Sequence, residues 1–207
     1  MKIITISREF GSGGRELGKR LADLLHFDYY DREIISAIAE NQGLDPDYVE
    51  KTLENRMFLG YPLNFRHSFS SPVFLQQSMP TKLLIEQTKI IKGIVQTGRD
   101  CVIVGRNADV LLKEEHPLNI FVHADDAAKL RRCQERAPEG EHLTPREMAQ
   151  MIRRIDSNRA RTRELVTDSR WGQRESYHLM VNTTGWDIKE LTPAVASFAE
   201  HWFGRTT

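Results

Sequence analysis

Ile3-Ile4-Thr5-Ile6-Ser7-Arg8-Glu9-Phe10-Gly11-Ser12-Gly13-Gly14-Arg15-Glu16-Leu17-Gly18 joins an apolar run to a glycine-dense turn and the start of a helical pattern. The run 3–7 has the composition of a buried strand. Glycines in the turn let backbone N–H groups point inward at an anion with no Cβ in the way. A helix beginning directly after the turn aims its positive dipole end at the same point. Leu17, Leu21, Leu24 and Leu25 recur on one face of that helix. Strand, glycine turn and helix in this order form a phosphate cradle, although a plain connector has the same composition. The turn departs from G-x-x-x-x-G-K-[ST], because no lysine is present and Arg15 and Glu16 follow the last glycine. Arg15 either replaces the lysine charge with a planar fork or is a surface residue.

Working outward, further apolar runs lie at 101–104, 118–122 and 179–182, with a weaker one at 27–30. Their uninterrupted apolar character suits strands buried on both faces of a parallel sheet. Helical patterns separate them at about 32–41, 81–97 (closed by Gly98), 125–137 and 145–165. A last one carries Asp187 and Glu190 at capping-box spacing and a stripe of Ile188, Leu191, Val195, Phe198 and Trp202. The alternation predicts an α/β fold with ligands at the carboxyl ends of the strands. Two stretches break it. Residues 42–80 hold Phe58, Tyr61, Phe65, Phe69 and Phe74 without a clean period, and residues 138–175 are rich in arginine.

The 207 residues suit one α/β domain with an insertion. Twenty-nine basic and 29 acidic residues cancel, which argues against non-specific nucleic-acid binding. Two cysteines, Cys101 and Cys133, and seven histidines without HxxxH spacing give no expected metal site. Neither a signal-peptide pattern nor an 18-residue apolar run is visible, so a cytoplasmic protein with no membrane partner is expected.

Four segments resemble the cytidylate kinase-like family of nucleoside monophosphate kinases. Residues 6–18 look like that family's phosphate loop, and Tyr29-Tyr30-Asp31-Arg32 like its approach to the monophosphate site. Residues 101–109 with 120–122 are similar to the third and fourth strands of its fold. Asp156-Ser157-Asn158-Arg159 resembles the lid motif, and Trp171-Gly172 with Tyr177 and Asn182 its C-terminal pattern. True cytidylate kinases match less well. Their lysine falls at Gly14, and their Gly-Arg-Asp becomes Gly105-Arg106-Asn107.

The resemblance implies a P-loop NTPase-type three-layer sandwich, a five-stranded parallel sheet with helices on both faces. It implies a single domain over residues 1–207, with core 1–41, 81–137 and 176–207, an acceptor-binding insert at about 42–80 and an Arg-rich lid at about 138–175. The implied activity is ATP-dependent phosphorylation of a nucleoside monophosphate such as CMP or dCMP, with ATP and Mg²⁺ as cofactors. Another small-molecule acceptor, or nucleotide binding without turnover, are the alternatives. A homodimer is left open. Gly11, Ser12, Gly13, Gly14, Arg15 and Glu16 would hold ATP, while Asp31, Arg32 and Arg106 would hold the acceptor. Arg15, Arg106, Arg159, Arg153 and Asp156 would serve catalysis. Arg106 as a cap or salt bridge, and Arg159–Asp156 as a plain i, i+3 ion pair, are the bland readings of the same residues. Ser12, Asp31 and Glu16 are candidate outer ligands of Mg²⁺, which is otherwise held by nucleotide phosphates and water. Trp171 is read as core or as lid hinge.

Overall fold

In the computed structural model, which describes residues 1–55, 79–137 and 143–205, β1 (Ile3–Arg8) is the central strand. Every residue of β1 is buried. It pairs in parallel with β3 (Cys101–Val104) on one side, Ile4 opposite Val102, and with β4 (Leu118–His123) on the other, Ile6 opposite Ile120. β2 (Asp28–Tyr30) and β5 (Leu179–Asn182) form the edges, giving the order β2-β3-β1-β4-β5 with all pairings parallel. Every expected strand is present. The sheet is the five-stranded parallel α/β sheet that the alternation implied.

Side chains of the inner strands alternate between two cores, as the two-residue period requires. Ile4, Ile6, Val102 and Val104 face α1 (Gly14–Leu25) and α8 (Ile188–Phe203). Ile3, Cys101 and Ile103 face α2 (Arg32–Gln42), α3 (Pro46–Asn55) and α4 (Met79–Gln96). In α1, Leu17 and Leu21 are fully buried, but Leu24 is 50% exposed. Leu25 and Phe27 pack on the core instead, as the chain leaves the helix for β2. The expected stripe of α8 does face the core. Asp187 caps that helix by accepting from Lys189 N at 2.7 Å, rather than through the expected box with Glu190. A full capping box stands at Thr144 and Glu147, ahead of α7 (Pro145–Glu164).

The two stretches that broke the alternation are partly helical. Residues 46–55 form α3, and residues 145–164 form α7. The aromatics between Phe58 and Phe74, with Pro138 and Gly140, lie outside the described residues. Two further α-helices are α5 (Ala108–Leu111) after β3 and α6 (Asp126–Glu135) after β4, and single 3-10 turns stand at Lys113–Glu115 and Arg174–Ser176. Among the described residues no helix is long and apolar enough to cross a membrane.

Near the sheet edge, His178 exchanges bonds with Asn119: His178 N donates to Asn119 O at 2.8 Å, and Asn119 N donates to His178 Nδ1 at 3.0 Å. The ring packs 4.3 Å from Trp202. Burial first, and the charge of Arg205 second, lower the imidazole pKa. Folded His178 therefore stays neutral below the usual value of about 6.5. Its contribution is complete above that pH and is lost as pH falls toward the folded value, because the unfolded chain protonates first. The stability difference between wild type and His178→Gln should thus shrink between pH 7.5 and 5 in urea titrations. A difference constant with pH would show that the ring does not titrate with folding.

Candidate active site

At the carboxyl end of β1 the chain turns through Gly11 (φ +77°) and Gly13 (φ +81°) into α1. Gly13 is the N-cap residue, in a left-handed conformation that side-chained residues resist. The first ladder bond of the helix runs from Leu17 N to Gly13 O. The amides of Gly14, Arg15 and Glu16 precede that ladder and face the dipole's positive end. Ser12 is fully buried: its hydroxyl donates to Glu9 O at 2.8 Å, and Thr183 Oγ1 donates to Ser12 O at 2.7 Å. The loop is thus clamped from below, and Ser12 itself lines no part of the cleft.

Three cavities border this turn. One, about 600 Å³, is lined by Arg15, Glu16, Tyr29, Asp31 and Arg32. Of the two that share Arg8 and Arg159, the larger, about 560 Å³, lies over Phe10, Gly11, Gly13, Gly14 and Arg15 and is bordered by Cys133 of α6, by Arg136, and by Met148 and Met151 of α7. The smaller, about 60 Å³, is enclosed by Ser7, Arg106, Asn107, Asn158 and Trp171. Arg8 and Arg159 line both. A phosphoryl-sized group fits the inner cavity, given about 10–15 Å³ for one water in this measure.

Arg106 is buried and lies at the carboxyl end of β3, its Nη2 3.8 Å from Glu50 Oε1. It occupies a left-handed run: Gly105, Arg106 and Asn107 have φ of +75°, +59° and +54°. Two side-chained residues there store strain of about 1–3 kcal/mol each. Gln87 Nε2, donating to Arg106 O, and Asn107 Nδ2, donating to Thr162 O, hold the turn.

Asp31 and Arg32 follow β2. Asp31 is buried and binds Arg15, Nε to Oδ2, at 2.5 Å, while Arg32 is exposed at the rim of the larger cavity. Glu16 pairs with Arg20 and Arg136, and their hydrogen bonds lower its pKa although burial, the largest single influence, raises it. Asp156 accepts from Phe10 N at 2.8 Å and from Arg159 at 3.2 Å. Its pKa is raised, mainly by burial. Arg159 also donates to Arg8 O at 3.0 Å and lies over the Phe10 ring. The i, i+3 pair expected as the bland reading is real, and it docks α7 onto the phosphate loop. Arg153 is exposed and lines neither cavity.

Two further arginines are bonded within the protein, Arg132 also lining the larger cavity. Arg163 meets Asp109 at 2.6 Å with both side chains almost fully buried, and Arg132 donates to Thr183 and to Trp186 O. Trp171 packs edge-on to Phe121 at 5.2 Å and also walls the inner cavity.

Sequence reasoning missed Arg8, which ends β1 as Arg106 follows the end of β3. Arg8 is 8% exposed and 3.8 Å from Asp31. Burial, then the charge of Arg159, draws its pKa down to about 9, with Arg106 and Arg15 adding and Asp31 opposing.

Gly11, Gly13 and Gly14 line one cavity with the cations Arg8, Arg15 and Arg159, a lining whose chemistry suits the phosphates of a nucleotide. Among the described residues no group of three His, Cys, Asp or Glu side chains could hold a metal ion. Ser12 and Glu16 are already engaged and Asp31 gives one oxygen to Arg15, so Mg²⁺ would be held mainly by the nucleotide's phosphates and water.

The model of the cytidylate kinase-like family matches residues 3–185, and the chain belongs to that family. No curated protein matches it. An uncharacterised protein from Eubacterium ventriosum ATCC 27560 is similar in structure, with a TM-score of 0.69, 22% identity and coverage of 97% of this chain and 99% of that one. Shikimate kinase from Bacteroides thetaiotaomicron gives 0.57 at 14% identity, covering 96% and 98%. Shikimate kinase from Acinetobacter baumannii, in complex with shikimate, gives 0.54 at 12% identity, covering 99% and 96%. At such identities the likeness is one of fold, that of P-loop kinases.

The Arg163–Asp109 pair ties α7 to α5 beneath the cleft. Asp109→Ala leaves a buried guanidinium uncompensated and should destabilise the protein by about 3–5 kcal/mol in urea unfolding. A loss under about 1 kcal/mol would mean the pair is not what anchors α7.

Proposed function

We propose that this member of the cytidylate kinase-like family is an ATP-dependent phosphotransferase whose acceptor is a nucleoside monophosphate of the CMP or dCMP kind. The observation that carries this reading is the inner cavity. Arg8, Arg106 and Arg159 converge on it, and no carboxylate or imidazole lines it among the described residues. A hydroxyl acceptor needs a base to take its proton as it attacks. A phosphate oxygen arrives as an anion and needs none, but it does need cations to bring two anionic groups together.

ATP lies in the larger cavity with its β- and γ-phosphates on the amides of residues 11–15, and Arg15 at the mouth. The acceptor phosphate enters the inner cavity against Arg106. An acceptor oxygen attacks the γ-phosphorus, the bond to the β,γ-bridging oxygen breaks, and ADP leaves with the electron pair. The new P–O–P link makes the diphosphate product. The protein's share is in-line placement and neutralisation of the equatorial oxygens. Arg159, on α7, closes over the transferring group as a lid residue, with Asp156 orienting it. Exclusion of water by α7 limits hydrolysis. A cytoplasmic location accords with ATP as the donor.

ADP release measured by a coupled assay across CMP, dCMP, UMP, AMP and shikimate tests the reading. Turnover with a pyrimidine monophosphate supports it, whereas turnover with shikimate alone contradicts the acceptor class. Nucleotide binding without turnover on any acceptor favours a binding module. With the best acceptor, Arg106→Ala should raise the acceptor KM at least tenfold and the ATP KM much less. An effect confined to ATP would place Arg106 on the donor side.

A further inference from the structure

We propose that Arg8 supplies in this chain the positive charge that a lysine supplies in the usual phosphate loop, and contacts the γ-phosphoryl group during transfer. The proposal rests on the kinase reading above and adds to it a residue between its two cavities.

Register comes first. Gly13 caps α1 and so holds the place of the last glycine in G-x-x-x-x-G-K-[ST]. Counting from it, Gly14 stands at the lysine and Arg8 at the first glycine. The chain has exchanged the two: cation at the first position, glycine at the seventh.

Packing explains why the exchange comes as a pair. A Cβ on residue 14 would lie 2.6 Å from Arg8 Cβ and 3.1 Å from Arg8 Cγ. A side-chained residue 14 and Arg8 in its present place therefore exclude each other. Gly105 makes the other half of the space, since a Cβ there would fall 1.7 Å from Arg8 Nη1. The Arg8 stem occupies room left by the missing side chain at Gly14, the start of α1, and its guanidinium the room left at Gly105, after β3.

Bonding explains what the group awaits. Arg8 Nε, buried, has no hydrogen-bond partner among the described residues, and neither has Asp31 Oδ1. The two groups stand 3.8 Å apart, an ion pair without a short hydrogen bond, while Arg15 holds the other oxygen of Asp31. A buried cation so weakly satisfied is unfavourable until an anion arrives. Arg8 lines both the donor cleft and the inner cavity, so an anion shared between them is the one it meets. Arg15, half exposed, serves by fixing Asp31 behind Arg8.

The test compares binding of AMP-PNP, which has a γ-phosphate, with binding of ADP by calorimetry in wild type, Arg8→Met, Arg8→Gln and Arg15→Ala. Wild type should prefer AMP-PNP. Arg8→Gln and Arg8→Met should lose at least tenfold in AMP-PNP affinity and change less than about threefold for ADP, so that the preference vanishes. Arg15→Ala should retain more of it. Turnover of Arg8→Gln with any acceptor the wild type uses should fall on the order of 10²–10³-fold, as for loss of one transition-state donor. Equal losses for both nucleotides, no loss for either, no wild-type preference, or a larger effect at Arg15 would overturn the proposal. If Arg8→Met does not fold, Arg8→Gln decides by the same ratio. Failure of the kinase reading shows separately, as wild type without turnover, and the binding ratio does not depend on it.

Discussion

Arg8 has its present place because residues 14 and 105 are glycines, and the charge of the cleft depends on that fact. The two glycines leave a slot between the ends of β1 and β3, and Arg8 fills it. Strand β1 could not otherwise end in a cation buried beneath its own loop. The slot also fixes the loop above it: with Gly13 left-handed and Ser12 bonded into the protein, the turn has one path into α1. Sheet, loop and helix are therefore a single packing solution, and the amides that meet a phosphate are placed by contacts made on the other side of the chain.

That arrangement carries a stability penalty. Desolvating a cation costs several kcal/mol unless partners compensate, and Arg8, Arg106 and Arg159 crowd a small space. The structure limits the damage by sorting its arginines. Arg163 is paired with Asp109 and Arg132 is bonded to Thr183, and both act as struts. Arg159 spends part of its bonding on Asp156 and on the loop backbone. Arg8 is left with a long ion pair and an Nε that no described residue accepts from. Tension of this kind is usual where a site is built for a ligand.

The sheet was legible because its strands are short, apolar and separated by amphipathic helices, and neighbours in a parallel sheet must bury both faces. Helix α3 was not, since its apolar positions Val49 and Leu53 are too few to show a period. Both are buried where α3 packs with α2, α4 and α7. The glycine turn was legible as a cradle, but the role of each polar residue in it was not. Ser12 faces inward because Glu9 O and Thr183 hold it, contacts up to 171 residues apart in sequence. Arg15 stood out through its place after the last glycine, and Arg8 did not, because the missing Cβ at Gly105 that admits it lies 97 residues away. Arg density was a poor guide to chemistry, since a strut and a ligand have the same letter.

A crystal structure with AMP-PNP bound tests the central claim most directly. The account predicts the β- and γ-phosphates on the amides of residues 11–15, with the Arg8 guanidinium within hydrogen-bond distance of a γ-phosphate oxygen. A triphosphate seated elsewhere, or one that leaves Arg8 turned to Asp31 and untouched, would contradict it.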